Sequence, residues 1–326
     1  YKFRLLSTPF WKFLSFFLLS FWRCSLDFSP VPVYNMRWLF LASILIAIGE
    51  IPLFLADYHT HSDASPDGHV TVSELASAAI KAGLTELCIT DHAECHGFIE
   101  RFDLPDDVLY FYKEKLDEEF PKAQAAYRDQ IKLLYGVELA QGHESPDVYH
   151  DILAHTQFDF VINSLHNLRG ENDFCYVAHY PSTEVCRDLL RRYVEELYET
   201  ARLDQYDVIA HIGYPLRYMR YRDGFDVSLD AYQAEFAEIF KYLVQNGRGI
   251  ELNVSGLRDG GCNTFPTLDV LKLYRSCGGE IITVGSDAHY ARYIGVGIAR
   301  GYEMLREAGF RYVTAYDHRV PRFEAL

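Results

Sequence analysis

From Ile51 onward the chain alternates short apolar runs with longer amphipathic stretches. The runs cover residues 53–58, 86–90, 131–138, 158–164, 208–210, 249–253 and 280–284. Each is too short for a helix, and its apolar residues sit on both alternating faces, as in a strand covered from both sides. Between the runs, apolar positions recur with helical spacing. Thr71-Val72-Ser73-Glu74 has the spacing of a capping box, which predicts a helix from Val72 that ends near Gly83. Further helices are expected over 107–127, kinked at Pro121, and over 183–201, 229–246, 267–276 and 291–308.

Strand followed by helix, about seven times, predicts an α/β domain built on a parallel sheet. The pattern alone does not separate an open sheet from a closed barrel. No stretch rich in Gly, Pro or Ser divides residues 53–326, which therefore read as one domain.

Residues 1–52 stand apart as a hydrophobic N-terminal extension. Apolar runs cover 10–22 and 38–55, Lys12 and Glu50 interrupt or flank them, and the first methionine is Met36. Three readings stay open. One is a secretory signal, with Met36-Arg37 as its charged start and Ala47-Ile48-Gly49 as its cleavage site. Another is a membrane anchor, although neither run reaches the ~20 apolar residues of a spanning helix. The third is upstream sequence that is not native to the protein.

Hydrophobic content is 49% and charged content 24%, enough for a sizeable core. The 46 acidic residues outnumber the 31 basic ones, giving a formal net charge of −15. With no Lys/Arg run, no nucleic-acid partner is expected. The 7 cysteines form no CxxC pair, which fits a reducing compartment and argues against a zinc ribbon.

Ligand-type side chains gather at the ends of the expected strands. The first run leads into Asp57-Tyr58-His59-Thr60-His61, with Asp63 and Asp67 shortly after. The second ends in Thr90-Asp91-His92, the third in Gly136-Val137-Glu138, and the fourth is followed by Ser164-Leu165-His166. The fifth ends in Ala210-His211 and the seventh in Gly285-Ser286-Asp287-Ala288-His289. The sixth is followed by Ser255 and Arg258. In a β/α barrel these ends meet on one face. Imidazoles and carboxylates suit divalent ions such as Zn²⁺, Mn²⁺ or Fe²⁺. His59, His61, Asp67, His92, Glu138, His166, His211, Asp287 and His289 exceed the ligand count of one structural zinc, so several cations are expected. A phosphate group would be attracted to them, and Arg258, with Arg217 as a second candidate, is expected to contact it. His69, His96, His143, His150, His155, His179 and His318 are expected to be ordinary surface or core residues.

These motifs, in this order, resemble the polymerase-and-histidinol-phosphatase (PHP) superfamily, over about residues 53–326. Residues 57–67, 89–94, 255–258 and Arg311-Tyr312-Val313-Thr314 resemble its monofunctional histidinol-phosphatase branch. The resemblance implies a distorted (β/α)7 barrel and three divalent ions. His59, His61, Glu138 and Asp287 would hold one. Glu138, His166 and His211 would hold a second, with Glu138 bridging, and Asp67, His92 and His289 the third. It also implies hydrolysis of a small phosphate monoester, L-histidinol phosphate, by a phosphoric monoester hydrolase of histidine biosynthesis. Asp287 or His289 is a candidate proton donor to the leaving group, while Glu94 and Ser255 are candidates for binding substrate. A cytoplasmic protein is expected, with no membrane contact for the catalytic domain. The alternatives are a PHP-type phosphodiesterase or exonuclease, and a metal-binding module without catalysis. The sequence carries no signal for oligomeric state.

Overall fold

Seven strand positions curl around one axis. In this computed structural model, residues 54–95 and 108–326 are described, with the backbone alone for 108–113. The N-terminal extension and His96 lie outside the described residues. The parallel strands are β1 (Ala56–Asp57), β2 (Glu86–Ile89), β3 (His92–Glu94), β4 (Lys132–Ala140), β5 (Phe160–Ser164), β6 (Val208–Ile209), β7 (Gly249–Asn253) and β8 (Ile282–Gly285). They run in the order β1-β2-β4-β5-β6-β7-β8. β3 pairs with β4 just beyond the stretch that β2 occupies, so β2 and β3 are two halves of one stave, broken at Thr90 and Asp91.

The outer strands close on each other. Tyr58 N–H donates to the Val284 carbonyl at 3.0 Å, Asp287 N–H to that of His59 at 2.7 Å, and His61 N–H to that of Ala288 at 2.9 Å. The distorted (β/α)7 barrel expected from the motifs is therefore the fold.

The longer helices are α1 (Val72–Lys81), α2 (Val108–Tyr127), α3 (Pro146–His155), α4 (Thr183–Ala201), α5 (Gln233–Gln245), α6 (Leu268–Ser276) and α7 (Ile298–Ala308). Both bonds of the Thr71/Glu74 capping box are present at α1. α2 continues through Pro121. α3 was not expected; Pro146 opens it, where a missing N–H does no harm. The stretch 291–308 is not one helix. A short 3-10 turn, Ala291–Tyr293, is followed by Gly295 and Gly297 at φ +74° and +88°, and only then by α7.

The barrel interior is packed. Tyr58, Cys88, Leu134, Phe160, Ile162, Val208 and Ala210 fill it together with Ala315 and Tyr316. The last two come from a hairpin that the strand pattern did not predict, β9 (Tyr312–Asp317) and β10 (Val320–Ala325). It closes the end at which the parallel strands begin: Ile282 N–H donates to Thr314 Oγ1 at 2.9 Å, and Tyr316 N–H to Tyr58 Oη at 2.7 Å. The opposite end is left for chemistry. Among the described residues no helix is long and apolar enough to cross a membrane.

Candidate metal centre

The strand ends deliver all nine expected ligands to one place. His59 and His61 follow β1, two residues apart on an extended chain, so both rings point the same way. Their side chains are fully buried and their ring centroids lie 5.0 Å apart. His92 opens β3, and its ring stacks on that of His61 at 4.2 Å. His289, past β8, also stacks on His61 at 4.1 Å, with its ring 5.7 Å from that of His92. The break between β2 and β3 has a cause: buried Asp91 accepts hydrogen bonds from Ser62 N–H, Ser62 Oγ and Ser65 Oγ, all at 2.7 Å. This fastens the β1 loop beneath His92.

Glu138, near the end of β4, stands at the centre. Its Oε1 lies 3.1 Å from His166 Nε2 and 2.9 Å from His211 Nε2. Its Oε2 lies 3.2 Å from His59 Nε2, 3.5 Å from His61 Nε2 and 3.0 Å from His92 Nδ1. One carboxylate thus faces two imidazole groups, an oxygen to each. Asp287 Oδ1 lies 3.5 Å from His61 Nε2 and 3.8 Å from His59 Nε2. Asp67 rather than Asp63 turns inward: its oxygens lie 3.2 Å from His289 Nε2 and 3.7 Å from His92 Nε2, whereas Asp63 pairs with Lys115 at 2.8 Å. His211 and Asp287 both hold positive φ, +22° and +55°, backbone strain of the kind that gathers at functional sites.

The electrostatics are those of a charge-dense pocket. Burial opposes a charge on His59, but Glu251, Glu138 and Asp287 raise it well above the ordinary imidazole range. His166 is raised likewise, against burial, by Glu94 and Glu138. His92, also buried, is pushed up to about 9 by Glu138 and Asp67. Burial, with His289 and His92 alongside, holds His61 well below that range. Burial works against the carboxylates of Glu138 and Asp287, and the surrounding imidazoles still hold both well below theirs. Protons and metal cations compete for such nitrogens.

The residues present fit divalent ions. His59 Nε2, His61 Nε2, His92 Nδ1, His289 Nε2 and Glu138 Oε2 are buried and have no aligned hydrogen-bond partner. A buried polar atom left so is costly unless something binds it. Ligand atoms come within 4.8 Å of one another in the sets His59/His61/Asp287, Glu138/His166/His211, His61/His92/His289 and His92/Glu94/His166.

A comparison of sequences decides the family. The model of the PHP domain matches residues 57–255, most of the barrel and all but two of the nine expected ligands. The chain belongs to the PHP family. Among similar proteins, a probable histidinol-phosphatase of Thermotoga maritima is 28% identical over 260 residues, 80% of this chain and 95% of that protein. A histidinol-phosphatase of Lactococcus lactis subsp. lactis is 26% identical over 269 residues, 80% of this chain and 94% of that one. A crystal structure of the L. lactis histidinol phosphate phosphatase, complexed with zinc, L-histidinol and phosphate, superposes with a TM-score of 0.68 at 23% identity. It covers 83% of this chain and 99% of that one, which shows the shared fold.

Within this PHP barrel the remaining site candidates lie around the same groups. Glu94, expected to bind substrate, lies 2.9 Å from His166 Nδ1 and 3.7 Å from His92 Nδ1. Arg258 donates to the carbonyls of Ser286 and Asp287, the latter at 2.6 Å, which occupies one end of its guanidinium. Arg217 is more central: it donates to Ser255 Oγ and lies 3.6 Å from Asp287 Oδ2. Glu251 and Asn253, inside β7, were missed. Glu251 lies 2.7 Å from His59 Nδ1, and Asn253 Nδ2 reaches both Glu251 and Asp287 at 3.3 Å. A Glu and an Asn in a buried strand were the available signal, since a buried carboxylate needs partners. Of the histidines read as ordinary, His143 is a buried partner of Glu196 at 3.1 Å, and His150 pairs with Asp204 at 2.7 Å outside the site.

Proposed function

We propose that this chain hydrolyses a small phosphate monoester, L-histidinol phosphate, to L-histidinol and phosphate. The observation that carries the chemistry is Glu138, one oxygen turned to each of two imidazole groups, with His59 Nε2, His61 Nε2 and His92 Nδ1 on its Oε2 side buried and without an aligned hydrogen-bond partner. The names of the similar histidinol-phosphatases support the substrate.

Three ions, drawn from zinc, manganese and iron, are held in this reading. His59, His61, Glu138 and Asp287 hold the first, Glu138, His166 and His211 the second, and Asp67, His92 and His289 the third. Bound there, the cations would draw charge from the phosphoryl oxygens and make water acidic enough to attack phosphorus near neutral pH. Arg217, steadied by Ser255 and by the faces of Phe265 and Tyr214, directs its guanidinium at the phosphate, with the free edge of Arg258 beside it. As water bonds to phosphorus the ester P–O bond breaks, and the proton that water gives up passes to the departing alkoxide; Asp287 and His289 are the side chains at hand to relay it. The buried strand ends exclude bulk water and hold these groups in place before substrate arrives.

The test is a substrate panel. Purified protein with Mn²⁺ or Zn²⁺ should turn over histidinol phosphate with higher kcat/KM than other monoesters, and diesters least. A preference for nucleotides or phosphodiesters would overturn the proposal in favour of an exonuclease-like PHP enzyme.

A further inference from the structure

We infer that Glu251 is the positioning residue that sets the tautomer of His59 and the backbone of His211, and so ties two cation subsites to one carboxylate. The inference rests on the reading that His59 and His211 hold cations.

Glu251 sits mid-strand in β7 and is fully buried. Its Oε1 lies 2.7 Å from His59 Nδ1. Its Oε2 accepts from the backbone N–H of His211 at 2.8 Å and from Asn253 Nδ2 at 3.3 Å. Both oxygens therefore serve as acceptors. With Oε1 as the acceptor at Nδ1, the His59 proton is kept there. Nε2, on the far side of the ring, is then the lone-pair nitrogen facing Glu138 and Asp287. The bond to His211 acts on backbone held at φ +22°, next to a ligand of the other Glu138 oxygen. Space for the arrangement comes from Gly285 in β8: a Cβ there would stand 2.3 Å from Glu251 Oε1 and 2.3 Å from the Cβ of His59. The fold has thus kept a side chain out of the one place that would push Glu251 and His59 apart.

Glu251→Gln isolates the point, because the amide has nearly the same shape and only one acceptor oxygen. With its NH₂ toward His211, two donors face each other across strained backbone. With its NH₂ toward His59, the imidazole must carry its proton on Nε2, where it cannot ligate. Either orientation spoils a ligand.

The experiment compares full-length wild type and Glu251→Gln by three readouts. Co²⁺ titration with a chelating dye as competitor gives affinity and number of ions, thermal melting of the chelator-treated protein gives stability, and ¹⁵N imidazole NMR of the wild type loaded with diamagnetic Zn²⁺ gives the tautomer. The variant is expected to bind Co²⁺ about 10- to 100-fold more weakly, the range for loss of an outer partner of a ligand, with a near-normal melt when stripped. The wild type is expected to show His59 protonated at Nδ1. Equal Co²⁺ affinity and stoichiometry in the two proteins would overturn the inference, as would a wild-type His59 proton on Nε2, which is readable even if the variant does not fold. Wild type that binds no Co²⁺ would instead sink the underlying metal reading.

Discussion

Glu138 and Arg217 carry separable parts of the chemistry. Glu138 touches five imidazoles, so Glu138→Gln removes charge from both sides of the centre at nearly constant volume. We expect kcat/KM for histidinol phosphate to fall by more than about 10²-fold, beyond the effect of losing an outer partner, together with loss of bound metal. Near-normal turnover would contradict its place at the centre. Arg217→Met should act on the phosphate. A charge-assisted hydrogen bond contributes ~1.5–3 kcal/mol, so kcat/KM should fall about 10- to 100-fold with metal content unchanged. Arg258→Met should also lower the melting temperature, because Arg258 braces the Ser286 and Asp287 carbonyls. If steady-state kinetics left KM and kcat unaltered in Arg217→Met, the phosphate role would pass to another group.

The C-terminal hairpin shows which elements local pattern reveals. The capping box at α1 and the range of α4 were legible, because caps and helical spacing are local. The hairpin was not. Its two-residue turn, His318-Arg319, holds φ at +47° and +67°, a conformation usually marked by Asn-Gly. Tertiary bonds take the place of that signal: Arg319 Nε donates to Asp207 Oδ2 at 2.6 Å, and His318 Nδ1 lies 2.6 Å from Asp159 Oδ1. Arg319→Ala should therefore lower unfolding free energy by about 2 kcal/mol, less than the ~3–5 of a fully buried pair, because Arg319 is partly exposed. Burial pushes Asp207 up to about 6, even with Arg319 beside it. Its folded value exceeds the unfolded one of ~3.9, so its contribution is full below pH ~4, falls as pH rises towards 6, and is level above. Urea unfolding should show wild type losing stability relative to Asp207→Asn across that window. A constant difference would place the Asp207 carboxyl in the ordinary range.

At the scale of the whole molecule, an acidic protein presents a centre for an anionic substrate, and bound cations are what reverse the local sign. The convergence of the nine expected ligands was legible because a β/α barrel gathers its strand ends, whatever lies between them. Their supports were less so. The spacing marks the carboxylates of Asp67, Glu138 and Asp287, whereas Glu94 and Glu251 also face the same cluster of imidazoles, since partners across the barrel leave no mark in spacing. The central claim is that this cavity grips more than one cation and that hydrolysis depends on them. Metal analysis of the dialysed full-length chain, with histidinol phosphate turnover followed through chelation and repletion, tests it most directly. We expect more than one divalent ion per chain, with activity lost on chelation and regained on adding Mn²⁺ or Zn²⁺. At most one ion per chain, or turnover that survives its complete removal, would contradict the account.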